Sequence, residues 1–332
     1  MCLCQNTIIL KKPLLIASSC IVLCIASFGG GYAYSSRTTS KQKAPSAAIQ
    51  EEKYPLLAKR IFVDNPNDVI INFADLREKL RDYMKINNLG GSIYFEYLPT
   101  GTSVRVEGDD EYVAASLMKI PVVMEMYKEA ELGRLDIDKK MPLRAEWLDK
   151  DFGDLYKKGV GYELTLREAA KEALSKSDNT AVAMILSNTR GILSLNENVI
   201  SSLDVTFNRD DKSQIAISAR SYASFLKCLY FSCYNNYQNS QDILESLTKS
   251  EFNNRLRQGV PVEVKVAHKI GTYSNITQSD CGVVYEPKRN YLLCAMLQTT
   301  DTDTGNKHVA DISKITYDFV VSNGNSADRR PE

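Results

Sequence analysis

The sequence has little histidine, two residues in 332, and no Cys-x-x-Cys pair. A zinc site is built from closely spaced Cys, His and acidic ligands. Both shortages argue against a metal, and nothing in the pattern asks for a cofactor. Excess charge of either sign is also missing: 41 Lys and Arg face 41 Asp and Glu. That balance gives no electrostatic reason to expect nucleic acid as a partner. No internal repeat is visible. What remains is an ordinary globular composition, 44% hydrophobic and 9% aromatic. It is enough for a full core in one large domain or two small ones.

Apolar residues concentrate in one long run, Leu14 to Phe28, preceded by Lys11 and Lys12 and followed by Gly29, Gly30 and Gly31. Extension through Tyr32, Ala33 and Tyr34 brings it to about the 20 residues that cross a bilayer. Two readings stand, a cleaved signal peptide and an uncleaved anchor, and the two Tyr at the far end fit an interfacial belt. Cys20 follows Ala17, Ser18 and Ser19, but the apolar run continues past it, which argues against a lipidation site. The organisation expected is a cytoplasmic or signal n-region over 1–12, an anchor or signal peptide over 13–34, and a flexible stalk over 35–60. A folded domain over 61–323 and a disordered tail over 324–332 complete it. The domain is expected to be extracytoplasmic, held at the membrane by 13–34 or secreted if that segment is removed, and a monomer.

Within the domain, helical spacing marks 72–86, 116–132, 165–173, 179–186, 218–230, 241–247 and 311–320. Alternation and turn residues mark strands at 92–98, 103–107, 262–266, 282–285 and 291–297. Thr165-x-x-Glu168 has the form of a capping box. Strands at both ends with helices between predict an α+β fold. Its simplest form is a five-stranded antiparallel sheet from both ends of the domain, flanked by helices, with a mostly helical insertion. Four cysteines, Cys2, Cys4, Cys20 and Cys24, belong to the N-terminal segment. Of the others, Cys228, Cys233, Cys281 and Cys294, the last two lie on consecutive expected strands. They either face each other or sit there as two small buried hydrophobes.

Three short motifs carry chemistry. Ser116-Leu-Met-Lys119 opens a helix, where residues three apart share a face. A Ser hydroxyl becomes a nucleophile when a neighbouring base takes its proton, and a Lys whose pKa is depressed by burial is such a base. The helix N-terminus adds N–H groups suited to a developing oxyanion. Ser177-Asp178-Asn179 lies between two expected helices and offers a hydroxyl and an amide. His268-Lys269-Ile270-Gly271-Thr272 falls at the end of an expected strand. Lys269 there supplies a fixed charge, and Gly271 lets a substrate backbone approach the strand edge.

In this order the three motifs resemble the S-x-x-K, S-D-N and K-T-G set of class A β-lactamases and penicillin-binding proteins. The resemblance covers roughly residues 70–322, and the interval from Ser116 to Ser177 matches class A spacing. It implies a serine hydrolase working through an acyl-enzyme on Ser116, with Lys119 as base or base partner. Ser177 passes a proton to the leaving nitrogen, and Asn179 holds the substrate side-chain amide. Lys269, Gly271 and Thr272 form the carboxylate and oxyanion side, the oxyanion hole being the N–H groups of Ser116 and Thr272. Three departures stand out. The class A pattern has a Glu in the loop that follows the second motif, which activates the deacylating water; Leu203–Ser213 contains Asp204, Asp210 and Asp211 but no Glu, and Glu197 comes too early. Ile270 replaces a hydroxyl residue of the third motif. No Arg follows that motif, and Arg255, upstream of it, is the candidate for the missing cation. β-Lactam hydrolysis is the leading expectation. Alternatives are a cell-wall D-Ala-D-Ala carboxypeptidase or transpeptidase, and a membrane-tethered penicillin-binding sensor without turnover. The partner expected is therefore a β-lactam or a cell-wall peptide.

Overall fold

A computed structural model describes residues 72–191, 196–209 and 214–325. The segments expected over 1–12, 13–34 and 35–60, the first residues of the domain and nearly all of the tail lie outside the described residues. Among the described residues, no helix is long and apolar enough to cross a membrane.

The chain begins with helix α1 (Ala74–Ile86), then strands β1 (Gly90–Tyr97) and β2 (Thr102–Val106). It ends with β8 (Lys265–Tyr273), β9 (Thr277–Tyr285), β10 (Tyr291–Gln298) and a long helix α7 (Thr302–Asn325). These five strands form one antiparallel sheet in the order β2-β1-β10-β9-β8. β1 and β10 pair residue for residue, Tyr94 opposite Cys294. The sheet built from both ends of the domain, and the α+β class, are therefore as the sequence predicts.

Each face of the sheet buries a separate core. One holds Phe73, Leu76 and Leu80 of the α1 segment with Phe95, Val266, Leu293, Ile312 and Phe319. Tyr83 of α1 donates to Asp311 Oδ2 of α7 at 2.7 Å, so the first and last helices lie together on that face. The other face packs against the insertion. Its helices are α2 (Lys119–Glu131), α3 (Leu166–Ser175), α4 (Asn179–Asn188), α5 (Ala219–Phe231) and α6 (Tyr237–Thr248). β9 is buried on almost every residue because both of its faces are covered.

Several local signals hold in detail. Thr165 caps α3 reciprocally: its hydroxyl accepts from Glu168 N at 3.1 Å, and Glu168 Oε2 accepts from Thr165 N at 2.7 Å. The expected 116–132 helix is two pieces, a 3-10 turn at Ala115–Met118 followed by α2. The break puts Pro121 in the first turn of the α-helix, where a missing N–H costs nothing. The strand expected at 262–266 begins later, at Lys265, because the Val264 amide closes a turn on Pro261 O. Val262 is 89% exposed in consequence. The motif residues Lys269 to Thr272 thus lie within a strand, not at its end.

Small strands add two further sheets that the sequence reading omits. β3 (Glu111–Val113) pairs with β7 (Ile215–Ser218), which pairs with β6 (Asn208–Arg209); β4 (Met141–Pro142) pairs with β5 (Glu163–Leu164). The cysteines left open by the sequence form disulfides: Cys281–Cys294 across β9 and β10, and Cys228–Cys233 at the end of α5. The second pair had not been expected. α5 ends where Ser232 turns left-handed at φ 52°, and that turn brings Cys233 back to Cys228.

Closing the 13-residue interval between Cys281 and Cys294 is worth about 3 kcal/mol in the chain-entropy account. Peptide mapping of unreduced, unfolded protein is expected to recover both pairs alkylation-resistant. Cys281→Ala with Cys294→Ala is expected to lower the Tm by on the order of 5 °C or more. Free thiols at these positions would contradict the pairing.

Candidate active site

The site lies where the helical insertion meets the edge of the sheet. β8 is an edge strand, so one side of its backbone is unpaired by other strands of the sheet. The Ala115–Met118 turn sits against it. Gly271 makes that approach possible: a Cβ there would stand 2.7 Å from Ala114 O and 2.8 Å from Leu117 Cγ. The room that Gly271 leaves is thus taken up by the turn carrying Ser116, where the sequence reading had a substrate backbone approach. The turn is anchored on its other sides. Ala114 N donates to Ile215 O at 2.9 Å, and the Tyr222 hydroxyl of α5 donates to Leu117 O at 2.9 Å. Ala115 has φ 45°, and the reversal presents Ser116, half-buried, at the head of the turn.

Lys119 follows as the first residue of α2 and is 6% exposed. Its Nζ donates to Ser177 O, to Ser177 Oγ at 3.1 Å and to Asn179 Oδ1 at 2.7 Å. Lys269, 1% exposed, donates from the opposite side to Ser177 Oγ at 2.9 Å and to Ile270 O at 3.1 Å. The three motifs therefore meet on one hydroxyl. With both lone pairs of Ser177 Oγ taken by ammonium donors, its own proton is the one left to give.

Ser177 is completely buried and has φ 55°. A non-glycine residue held there costs about 1–3 kcal/mol, and surroundings must impose it. Asp178, also completely buried, is what imposes it. As N-cap of α4, its Oδ1 accepts from Ala181 N at 2.9 Å, while Oδ2 accepts from Leu155 N at 2.8 Å. Asn179 N donates to Phe152 O at 2.9 Å. The second motif is thereby tied to the segment 149–155.

Burial pushes the Lys119 ammonium down to about 8, against the opposing pull of the Asp178 and Asp149 carboxylates. Burial, and then the Lys119 charge, hold Lys269 well below the ordinary lysine value. Two buried cations beside one hydroxyl discourage each other's protonation.

Arg255 occupies a place the sequence could not specify. It is 3% exposed, and every one of its five donors is committed. Nε donates to Asn306 Oδ1 at 2.6 Å. Nη1 donates to Gly271 O at 3.0 Å and Ser279 O at 2.8 Å, and Nη2 to Thr272 Oγ1 at 2.8 Å and Gln278 Oε1 at 2.7 Å. It lies behind β8 and supports Thr272. Ile270 is 4% exposed, across from Asp280 in the β8–β9 register. Asp204 is exposed, on a left-handed turn at φ 50°. Asp210, Asp211 and the Glu197 side chain lie outside the described residues. Sequence reasoning missed Tyr222, Gly153 and Asp149, whose Oδ1 accepts from Asn179 Nδ2 at 3.2 Å.

Residues 75–320 match the family model described as the β-lactamase enzyme family. The chain belongs to that family. It is 22% identical over 275 residues to the β-lactamase VEB-1 of Pseudomonas aeruginosa, covering 75% of this chain and 91% of that one. It is 23% identical over 244 residues to a β-lactamase of Bacillus licheniformis, covering 68% and 78%. Among solved structures, the penicillin-binding protein PBP-A aligns with TM-score 0.68 at 22% identity, covering 75% of this chain and 97% of that one. A β-lactamase of Sphaerobacter thermophilus aligns with TM-score 0.70 at 22% identity, covering 76% and 98%. The fold and the superfamily of β-lactamase-like and penicillin-binding serine hydrolases are those the sequence motifs predict.

Gly153 is the most exacting position of the site's support. It has φ 86°, and a Cβ would lie 2.0 Å from Asp178 Oδ2. Gly153→Ala is expected to destabilise the fold by about 2–3 kcal/mol through overpacking and backbone strain. A Tm equal to that of the parent protein would show that the Asp178 anchor is not as tight as described.

Proposed function

We propose that this chain is a class A β-lactamase-like serine hydrolase that forms an acyl-enzyme on Ser116 and opens β-lactam-type amides. The observation that supports this most is the meeting of Lys119 and Lys269 on Ser177 Oγ beside the turn of Ser116.

In this reading the resting Lys119 has three acceptors for its three protons. Loss of one proton frees one contact and turns a lone pair toward Ser116. Ser116 Oγ then attacks the amide carbonyl carbon as its proton passes to Lys119. The oxyanion is received by the N–H groups of Ser116 and Thr272. When the C–N bond breaks, the nitrogen takes the Ser177 hydroxyl proton, and a neighbouring ammonium replaces it. Asn179 holds the substrate's side-chain amide. The substrate carboxylate faces Lys269 and the Thr272 hydroxyl. Because Thr272 Oγ1 accepts from Arg255, its own hydrogen is left to donate. Arg255 thus serves the carboxylate through Thr272.

Deacylation sets the runner-up reading. The loop that carries a Glu in the class A pattern has none here, and Asn208–Arg209 enter a short pairing with β7 instead. An acyl-enzyme without a positioned base hydrolyses slowly. That favours a cell-wall D-Ala-D-Ala carboxypeptidase or transpeptidase, or a penicillin-binding sensor, over fast lactam turnover. An acyl-enzyme with penicillin G is described for a PBP-A variant of the same fold. Placement outside the cytoplasm, with 13–34 as anchor or leader, accords with two disulfides.

Intact-mass spectrometry with benzylpenicillin tests the assignment. A mass increase of one penicillin that persists, and is absent in Ser116→Ala, is expected. Labelling that survives Ser116→Ala would sink the nucleophile assignment, and rapid drug loss without an adduct would make lactam hydrolysis the main activity. The labelling rate is expected to rise with pH through about 8. The sign follows from the mechanism: the base form of Lys119 is the deprotonated one, and it accumulates above that value.

A further inference from the structure

We propose that Asp149 is a positioning residue of this site, its carboxylate fixing the side-chain amide of Asn179 so that one end of the amide holds Lys119 and the other meets the substrate. The proposal rests on the reading of Asn179 as the group that binds a substrate amide.

Asn179 is pinned from both sides. Its Oδ1 accepts from Lys119 Nζ at 2.7 Å, and its Nδ2 donates to Asp149 Oδ1 at 3.2 Å. A lysine ammonium only donates and a carboxylate only accepts, so the two partners together admit one orientation of the amide. A flipped amide would set N–H against ammonium and oxygen against carboxylate. One Nδ2 hydrogen goes to Asp149, and the second is left for a carbonyl acceptor.

Asp149 is itself held in place. Its backbone N donates to Thr180 Oγ1 at 2.9 Å, and Thr180 Oγ1 donates back to Asp149 O at 3.1 Å. Thr180 is completely buried and follows Asn179 on α4. The clamp therefore fixes the carboxylate relative to the amide it serves. Asp151 N donates to the same Oδ1 at 2.8 Å and turns the carboxylate toward the helix.

The electrostatic surroundings separate Asp149 from Asp178. Lys119 faces Asp178 and Asp149, and across Ser177 it faces Lys269. Asp178 spends both oxygens on backbone amides, so its removal would disturb the fold. Asp149 makes no bond to a buried backbone amide of the core. Asp149→Asn keeps an oxygen acceptor for Asn179 and removes the charge. Asp149→Ala removes both.

The first measurement needs no turnover. In full-length protein with carbon-13 lysine labelling, the Lys119 side-chain signal is assigned by its loss in Lys119→Arg and followed against pH. Loss of a nearby carboxylate withdraws support from the charged lysine. The midpoint is therefore expected to fall by about half a unit or more in both variants. The second measurement is the acylation rate with benzylpenicillin, which has an acylamino side chain, against 6-aminopenicillanic acid, which lacks it. Asp149→Ala is expected to lose on the order of tenfold of the preference for benzylpenicillin, and Asp149→Asn to retain most of it. An unchanged Lys119 midpoint in both variants, or an undiminished preference in Asp149→Ala, would overturn the role. If the parent protein is labelled by neither compound, the acyl-enzyme reading fails; the lysine titration still decides whether Asp149 acts on Lys119.

Discussion

One hydroxyl, Ser177 Oγ, receives two buried ammonium groups, and the rest of the domain is arranged so that this can happen. Lys119 comes from the helical insertion and Lys269 from the sheet. Cations so close repel each other in an apolar interior, and each costs desolvation as well. The arrangement persists because the surroundings are rigid. Ser177 is held in a left-handed conformation by Asp178, and Lys269 lies on a strand whose neighbour across the register, Cys281, is bonded covalently to β10. In the proposed mechanism the same cost is what suits Lys119 to act as a base. A lysine that resists its proton is available as a base near neutral pH, where an exposed lysine is not.

The two sides of the site are held by different means. On the sheet side, Arg255 ties β8, β9 and the start of α7 together with five hydrogen bonds and places positive charge beneath Thr272. On the helical side, the supports are caps and carboxylates: Asp178 on the α4 terminus, Asp149 on Asn179, and Tyr222 on the turn of Ser116. Gly271 and Gly153 mark places beside the site where backbone meets backbone or carboxylate too closely for a side chain. Between them the two sides leave little freedom for Lys119, Ser177 and Lys269, as a mechanism relying on orientation would require.

How much of this was legible in the sequence depends on whether a residue acts through its spacing or through its partners. Ser116 and Lys119 were legible because three positions on a helical turn share a face, and Ser177 and Lys269 because hydroxyl and amine chemistry recurred in a familiar order. The five-stranded sheet followed from strands placed at both ends of the domain. Arg255 was noticed as a cation, but its real partners lie on β8, β9 and α7, and no local pattern ties these together. Asp149 was not singled out, since its contact with Asn179 spans 30 positions. The strand start at Lys265 was misplaced because Val262 and Val264 alternate like a strand while Pro261 begins a turn. Cys228 and Cys233 escaped because their closure depends on a left-handed helix end that composition does not announce.

The pairing of β1 with β10 has a consequence for how the molecule comes into being. The chain emerges N-terminus first, and the edge of β1 that meets β10 has no partner until nearly the whole domain has been made. The insertion carries Ser116, Lys119 and Ser177 but completes its core on a sheet face contributed largely by the last strands. Folding is thus governed by contacts between opposite ends of the chain, which form slowly. A partial chain has neither Lys269 nor the complete sheet, so Lys119, Ser177 and Lys269 come together only once the final strands are in place.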